Sequence, residues 1–510
     1  MEKRMFLAVA LSMLILIAWP FIFSKKKPQQ VVQQEIQTTT ASQTASAPDI
    51  KTNKHIKTGM NKSIAKEDVY TIENDFIKVD ISSIGGKIKQ ATFKKYKDSQ
   101  KSAIKFFSSD VEAKGALQMA DLDEGPFKSL SKTGTTVSLG YKGTTINYSL
   151  SNTDPYVLKS DIKTAGSDKL KFKIIAAATK DQNQYSFSDD PQARSRTYLI
   201  YSQDKVERIP IKAKDEIKTL TFENKVNWIG ISDRYFLFSV LPKNDFFTDV
   251  IADKKDEDSM YSTEFALSPK EGVYNYSIYI GPKDVSYLRK ADPTLSEAID
   301  YGWLAVISVP MLEIMKFFYK IIPNYGIAIL LLTLLVRLIM YPLQHKSMKS
   351  MKKMQELQPH LKTLQEKYKN DKAKLNQEMM QFMKIHKVNP MSGCLPMLIQ
   401  LPVFIALYKV LAGAVELYRS PFIFWITDLS MKDPYYIFPI LMGIMMFIQQ
   451  KITPNPTMDQ TQAKMMLFMM PVIFTIFMLS LPSGLTLYIL FSTVLGIAQQ
   501  YVMNKKPASN

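Results

Sequence analysis

Cysteine and histidine are nearly missing from this 510-residue chain. Cys394 is the single cysteine, and the four histidines stand at positions 55, 345, 360 and 386. One thiol has no partner within the chain, so a scaffold built on disulfides is excluded. So few imidazoles leave little from which to build a zinc hydrolase or a His-dependent catalyst. Acids are the minority charge, with 47 Asp plus Glu against 65 Lys plus Arg and a net charge of +18. Disorder of the whole chain is excluded as well, because 28 Phe, 25 Tyr and 28 Met supply ample material for packing. At roughly 150 residues per domain the length suggests about three units.

Long charge-free runs occupy one end of the chain and one early stretch. Met5 to Phe23 holds 19 residues without a charge, a helix of roughly 28 Å, close to the thickness of a bilayer core. A cleaved signal peptide would end in small residues. Here the run ends Trp19-Pro20-Phe21-Ile22-Phe23, so residues 1–24 read as an uncleaved anchor. Residues 25–66, rich in Gln, Thr, Ser, Ala and Lys, read as a flexible linker.

From residue 67 to 300 the texture is short β-branched and aromatic runs separated by Gly, Asn, Asp and Ser. Phe76–Ile81, Thr135–Leu150, Leu170–Ala176, Thr197–Ile211, Val226–Leu241 and Val273–Ile280 are the clearest. Alternation such as Thr145-Ile146-Asn147-Tyr148-Ser149-Leu150 predicts half-buried antiparallel strands and a β-sandwich. The region contains neither histidine nor cysteine, which favours binding or scaffolding over catalysis.

Residues 301–323 predict an amphipathic helix along the outer membrane surface. Glu313, Lys316 and Lys320 share one face, and Leu312, Met315, Tyr319 and Ile322 another. A plain connector is the other reading. Five membrane spans are expected beyond it, at 324–344, 394–415, 434–450, 464–481 and 484–503. The last two come from one charge-free run of 39 residues, Met465 to Met503, broken by Pro482-Ser483-Gly484. Several are short: residues 435–448 make only about 21 Å of helix against a core near 30 Å. Either the boundaries are off by a few residues or the bilayer is thinned around them. Between His345 and Asn389 stand 11 lysines and 4 acids, whereas the loop from Glu416 to Pro434 is net −1. The positive-inside rule then places residues 345–390, the N-terminus and the tail 504–510 in the cytoplasm, and 25–300 outside.

The 345–390 segment carries apolar stripes at Met348, Met351, Met354, Leu357, Leu361, Leu364 and Tyr368, then at Leu375, Met379, Phe382 and His386. That spacing predicts a helical hairpin with basic outer faces. It rests on anionic lipid or docks acidic partners, ribosomal RNA among them. Two charges fall within predicted spans. Lys409 is close enough to the outer end of its helix to snorkel. Arg337 sits in a run from Leu330 to Met340 and cannot shed its proton. No other span offers it a carboxylate. Snorkelling is one answer; a hydrated cavity open to the cytoplasm is the other, with Thr333, Gln400, Thr486 and Tyr488 as candidate lining residues. Such a cation would attract acidic or polar parts of a client chain. A transporter or channel would show internal repeats and several intramembrane charges, and no internal repeat is seen. An intramembrane protease would need a base for Ser483, and no histidine lies in any span.

Several motifs occur in a telling order. They are Val336-Arg337-Leu338-Ile339-Met340-Tyr341-Pro342-Leu343, then Leu357-Gln358-Pro359, then Val388-Asn389-Pro390-Met391-Ser392-Gly393-Cys394-Leu395-Pro396. Leu401-Pro402-Val403-Phe404-Ile405-Ala406-Leu407-Tyr408, Asp433-Pro434-Tyr435-Tyr436-Ile437 and Pro482-Ser483-Gly484-Leu485-Thr486-Leu487-Tyr488 follow. Over 300–503 the chain resembles the YidC/Oxa family of membrane protein insertases. The anchor, the large exported domain and Asp300-Tyr301-Gly302-Trp303 resemble its Gram-negative branch. The resemblance implies a multi-pass α-helical membrane protein, an N-terminal anchor plus a five-helix core with an exported all-β sandwich, in the bacterial inner membrane. It implies a hydrophilic groove open to cytoplasm and lipid, no enzymatic activity and no cofactor or metal. It also implies the insertion and chaperoning of nascent membrane proteins, alone or with the Sec translocon and its accessory subunits. Ribosome and targeting receptor would meet the cytoplasmic hairpin, and membrane lipids the groove. Arg337 corresponds to the family's groove arginine, and Thr333 and Tyr488 to groove-lining positions. A tyrosine pair found in some members is here Tyr488-Ile489, and Lys409 replaces an uncharged position. The exported domain resembles a β-supersandwich related to sugar-binding folds, without a catalytic set. The tail after Tyr501 lacks a long ribosome-binding extension.

Overall fold

The computed structural model describes residues 67–505, except 99–100, 108, 123–124, 165–168, 178–195, 212–219, 223–224, 244, 256–259, 271, 369–370, 387, 389–394 and 453–459. The anchor 1–24, the linker 25–66, most of the tail 504–510 and Cys394 lie outside the described residues.

Alternating side chains build the first half. In Thr144–Leu150 the residues Ile146, Tyr148 and Leu150 turn inward while their neighbours face out. Eighteen such strands among the described residues, all paired antiparallel, form two nine-stranded sheets. One runs from an edge at Val69–Glu73 to an edge at Leu220–Phe222; the other runs from Lys205–Pro210 to Lys128–Lys132. Apolar side chains from both sheets fill one continuous core, in which Phe93 stacks on Phe236 at 4.5 Å. Three of the longer runs in the sequence are hairpins. Thr136–Tyr141 pairs with Thr144–Leu150, Thr197–Ser202 with Lys205–Pro210, and Val226–Ser232 with Phe236–Pro242. The first two turn through pairs with positive φ, Lys142-Gly143 and Gln203-Asp204, the twist that two-residue hairpins require.

Helices fill the second half. Two short ones belong to the sandwich, α1 (Ser109–Lys114) and α2 (Val285–Ala291). Then come α3 (Ala305–Ile321), α4 (Tyr325–Glu356), α5 (Gln358–Lys367), α6 (Lys372–Ile385), α7 (Leu395–Gly413), α8 (Ile437–Ile452), α9 (Gln460–Met478) and α10 (Ser483–Lys505). Asn324 caps α4 by accepting from the Ile327 amide at 3.1 Å. The helix does not stop at Pro342 but runs on to Glu356, about 48 Å in all. In the following hairpin Met354, Leu361, Met383 and Val388 form a small core with Leu357, Met379 and Phe382.

The outward surface of the main bundle is apolar. Phe468, Val472 and Ile476 of α9 are 61 %, 57 % and 62 % exposed, and Ile440 and Ile444 of α8 are exposed as well. A face of that kind is stable against lipid rather than water. By length and composition α4 and the stretch Ser483–Met503 of α10 can each cross a bilayer, whereas Gln400–Gly413, Ile437–Ile452 and Lys464–Met478 are shorter apolar helices.

Helix α3 departs from its expected arrangement. Met311, Leu312 and Met315 are buried, but so is much of Lys316, which the helical period groups with Glu313 and Lys320 on a polar face. Its ammonium lies 2.6 Å from Glu416 and 3.4 Å from Asp284. The period assigns a face; it does not say that the β domain covers part of it. The segment after α7 completes this seam: Val415 enters the sandwich core, and the Tyr418 hydroxyl donates to the Lys97 carbonyl at 3.1 Å. The side chain of Arg234, in the turn before Phe236, donates to the Ala412 carbonyl at the end of α7.

Candidate functional site

Arg337 projects from α4 toward α10, where its guanidinium meets neutral acceptors. Nε donates to the Ser492 hydroxyl at 3.1 Å, Nη2 to the same hydroxyl at 2.9 Å and to the Ser492 carbonyl, and Nη1 to Gln344 Oε1 at 3.0 Å. Among the described residues it makes no ion pair, and it remains partly exposed. Gln344 lies two helical turns beyond Arg337 on the same face of α4. Gly496 permits the close approach, since a Cβ there would sit 3.3 Å from Arg337 Nη2 and 3.0 Å from Gln449 Nε2. Guanidinium, α8 amide and α10 backbone therefore converge.

One turn nearer the outer side, Gln400 of α7 donates to the hydroxyl of the buried Tyr488. Tyr488 lies one turn before Ser492, the residue of α10 that Arg337 binds. Of the five residues singled out in the sequence, Arg337, Gln400 and Tyr488 thus fall in one neighbourhood. Thr333 and Thr486 are buried, and each hydroxyl is spent four residues back along the chain, Thr333 on the Ile329 carbonyl at 2.6 Å and Thr486 on that of Pro482, just before α10, at 3.4 Å. Lys409 is half-buried and forms no hydrogen bond or ion pair among the described residues. Ser483 donates to the Asp428 carbonyl at 3.1 Å, a turn-forming role.

Sequence reasoning missed Gln344, Ser492, Gln449 and Gly496. It also missed glutamines toward the C-terminal ends of α4, α8 and α10, where Gln355 Nε2, Gln450 Oε1, Gln499 Nε2 and Gln500 Oε1 are buried with no hydrogen-bond partner among the described residues. Buried amides call for polar company. The available signal was the pairs Gln449-Gln450 and Gln499-Gln500, each at the C-terminal end of an apolar run. No group of three or more His, Cys, Asp or Glu residues is placed to hold a metal ion among the described residues.

A bundle with a lipid-facing surface, an interior cation on neutral partners and a β-sandwich at one end defines a multi-pass membrane protein with an extramembrane β domain. The family model described as 60Kd inner membrane protein matches residues 317–510, and that of the YidC periplasmic domain matches 69–314. The chain is 35 % identical over 543 residues to the membrane protein insertase YidC of Geotalea uraniireducens (strain Rf4), covering 99 % of each. It is 45 % identical over 337 residues to that of Syntrophus aciditrophicus (strain SB), covering 64 % of this chain and 60 % of the relative. A crystal structure of active YidC insertase with its first transmembrane domain resolved aligns at 20 % identity and a TM-score of 0.40, over 87 % of this chain and 94 % of that one. The chain belongs to the YidC family.

Proposed function

We propose that this protein is a membrane protein insertase and chaperone whose working surface is the polar seam between α4, α7, α8 and α10. The observation that carries the reading is Arg337 bound to Ser492 and Gln344 rather than to a carboxylate. A guanidinium in the hydrocarbon region costs about 2.5–3.5 kcal/mol on insertion scales. Hydrogen bonds from a charged donor return about 1.5–3 kcal/mol each, so its bonds to Ser492 and Gln344 offset the cost. Those bonds leave the positive charge uncancelled. A client segment bearing acids or polar groups would find a counter-charge there. Its entry would lower the barrier to moving it through hydrocarbon, and its apolar segments would pass sideways into lipid.

Short helices support the same reading. The 16 residues of α8 extend only about 24 Å, so the layer to be crossed is thin beside them. In this reading the N-terminus and the basic hairpin α5–α6 are cytoplasmic and receive ribosome and targeting receptor. Residues 25–300 are periplasmic. Clients arrive directly or through the Sec translocon, and no covalent step is required.

Reconstitution in liposomes with a single- or double-span client tests this. Wild-type protein should insert a client with a charged exported tail, and Arg337→Ala should insert it several-fold less while still insertion-competent for a purely apolar client. Equal insertion of the charged client would remove Arg337 from the mechanism, and solute flux without any client would favour a channel.

A further inference from the structure

Where the sandwich meets the outer end of α7 there is a cleft of about 570 Å³, separate from the Arg337 seam. Its lining includes Arg208, Arg234, Lys283, Asp233, Asp300 and Ala412. The three cations come from three places in the chain: the edge strand Lys205–Pro210, the turn before Phe236, and the segment after Val273–Pro282. We propose that this cleft binds a phosphate-bearing anion, either the phosphodiester of a lipid headgroup or a free phosphate.

Charge bookkeeping inside the cleft favours an anion. Its two carboxylates are already engaged with backbone. Asp233 Oδ1 accepts from the amides of Tyr235 at 2.8 Å and Phe236 at 2.7 Å, and Asp300 Oδ1 accepts from Gly302 at 2.9 Å. The cations are held by carbonyls: Arg208 Nη2 donates to Glu297 at 2.6 Å, Lys283 Nζ to the Asp233 carbonyl at 2.6 Å, and Arg234 to Ala412. Among the described residues neither Arg208 nor Lys283 forms an ion pair. The Lys283 ammonium is pushed down to about 8, chiefly by burial and also by the positive charges of Arg208 and Arg234, with Asp233 and Asp300 working against the fall. Cations crowded closely enough to discourage one another's charge gain most from a shared counter-ion, and a phosphate with several acceptor oxygens suits two guanidinium forks and an ammonium.

Position favours a membrane source. Asp300 on the cleft wall is three residues from Trp303 and six from Val306, which are 81 % and 83 % exposed. Aromatic side chains of that kind settle at headgroup level, and α7 ends in the cleft at Ala412.

The full chain in detergent is exchanged into phosphatidylglycerol, then phosphatidylethanolamine, and retained lipid is counted by native mass spectrometry; equilibrium dialysis measures inorganic phosphate. Retention of lipid that millimolar phosphate does not displace identifies a headgroup site. Retention that phosphate displaces, or phosphate binding alone, identifies a site for the soluble anion. Either supports the proposal. Arg208→Gln, at an exposed position that leaves folding intact, should lower retention about tenfold, and Lys283→Gln further. Unchanged retention in Arg208→Gln, or no retention of any phosphate-bearing probe by wild type, would overturn it.

Discussion

Arginine at position 337 does what lysine cannot. Its planar fork reaches Ser492 and Gln344 at once, with Nε and Nη2 on one and Nη1 on the other. An ammonium is a point charge on a flexible stem and satisfies fewer fixed acceptors. In the liposome assay Arg337→Lys should therefore fall between wild type and Arg337→Ala for a charged client. Insertion by Arg337→Lys equal to wild type would mean that charge alone suffices and the fork is incidental. The arginine was legible in the sequence because it interrupts an apolar run that no other charge enters. Its partners were not. Ser492 is an uncharged residue whose role depends on how α4 packs against α10, which helical period does not reveal, and Gln344, two turns along the same face of α4, carries no charge to mark it. Thr333 and Thr486 show the converse: hydroxyls that look available in the sequence are spent on carbonyls four residues back along the chain.

Between elements, the informative contact is Lys316 of α3 with Glu416 and Asp284. Burial works to lower the Lys316 pKa, but Glu416 and Asp284 outweigh it and hold the ammonium above its ordinary value. Burial likewise works to raise Asp284, and Lys316 outweighs it and keeps that carboxyl low. Glu416 is held up by burial. Removing one partner of a buried pair costs about 3–5 kcal/mol, whereas replacing both by apolar residues is often neutral. The double variant Lys316→Met/Glu416→Leu should therefore melt above Lys316→Met alone, and simple addition of the two single losses would contradict the triad. Because the folded-state pKa of Asp284 is depressed, its contribution is present above the unfolded value of about 3.9 and fades as pH falls below it. The difference in melting temperature between wild type and Asp284→Asn should shrink over that range. Sequence periodicity found α3 and its apolar stripe. It grouped Lys316 with Glu313 and Lys320 because its burial comes from the N-cap of α2 and the segment after α7, which lie elsewhere in the chain.

At the scale of the whole molecule, long apolar runs and short alternating ones separate a membrane bundle from a β-sandwich, and both were readable before any coordinates. Strand order was not. Leu170–Ala177 pairs with Met260–Leu267, about ninety residues distant, and local pattern carries no information on such pairings. Strands of three residues such as Ala103–Lys105 and Leu117–Met119 are too short to show a period. In the proposed reading the bundle offers clients a charged seam, while the sandwich holds the C-terminal end of α7 and the segment after it through Arg234, Val415 and Tyr418. If the proposed seam admits clients from the cytoplasm, it must be wet from that side and closed from the other. Cysteine placed at the arginine position, Arg337→Cys in a Cys394→Ser background, reports on this directly through a membrane-impermeant maleimide applied to either face of the membrane. Labelling in inverted vesicles and none from outside intact cells is the outcome expected. Failure to label from the cytoplasmic face, with a permeant reagent still reacting, would show a dry interface and contradict the groove.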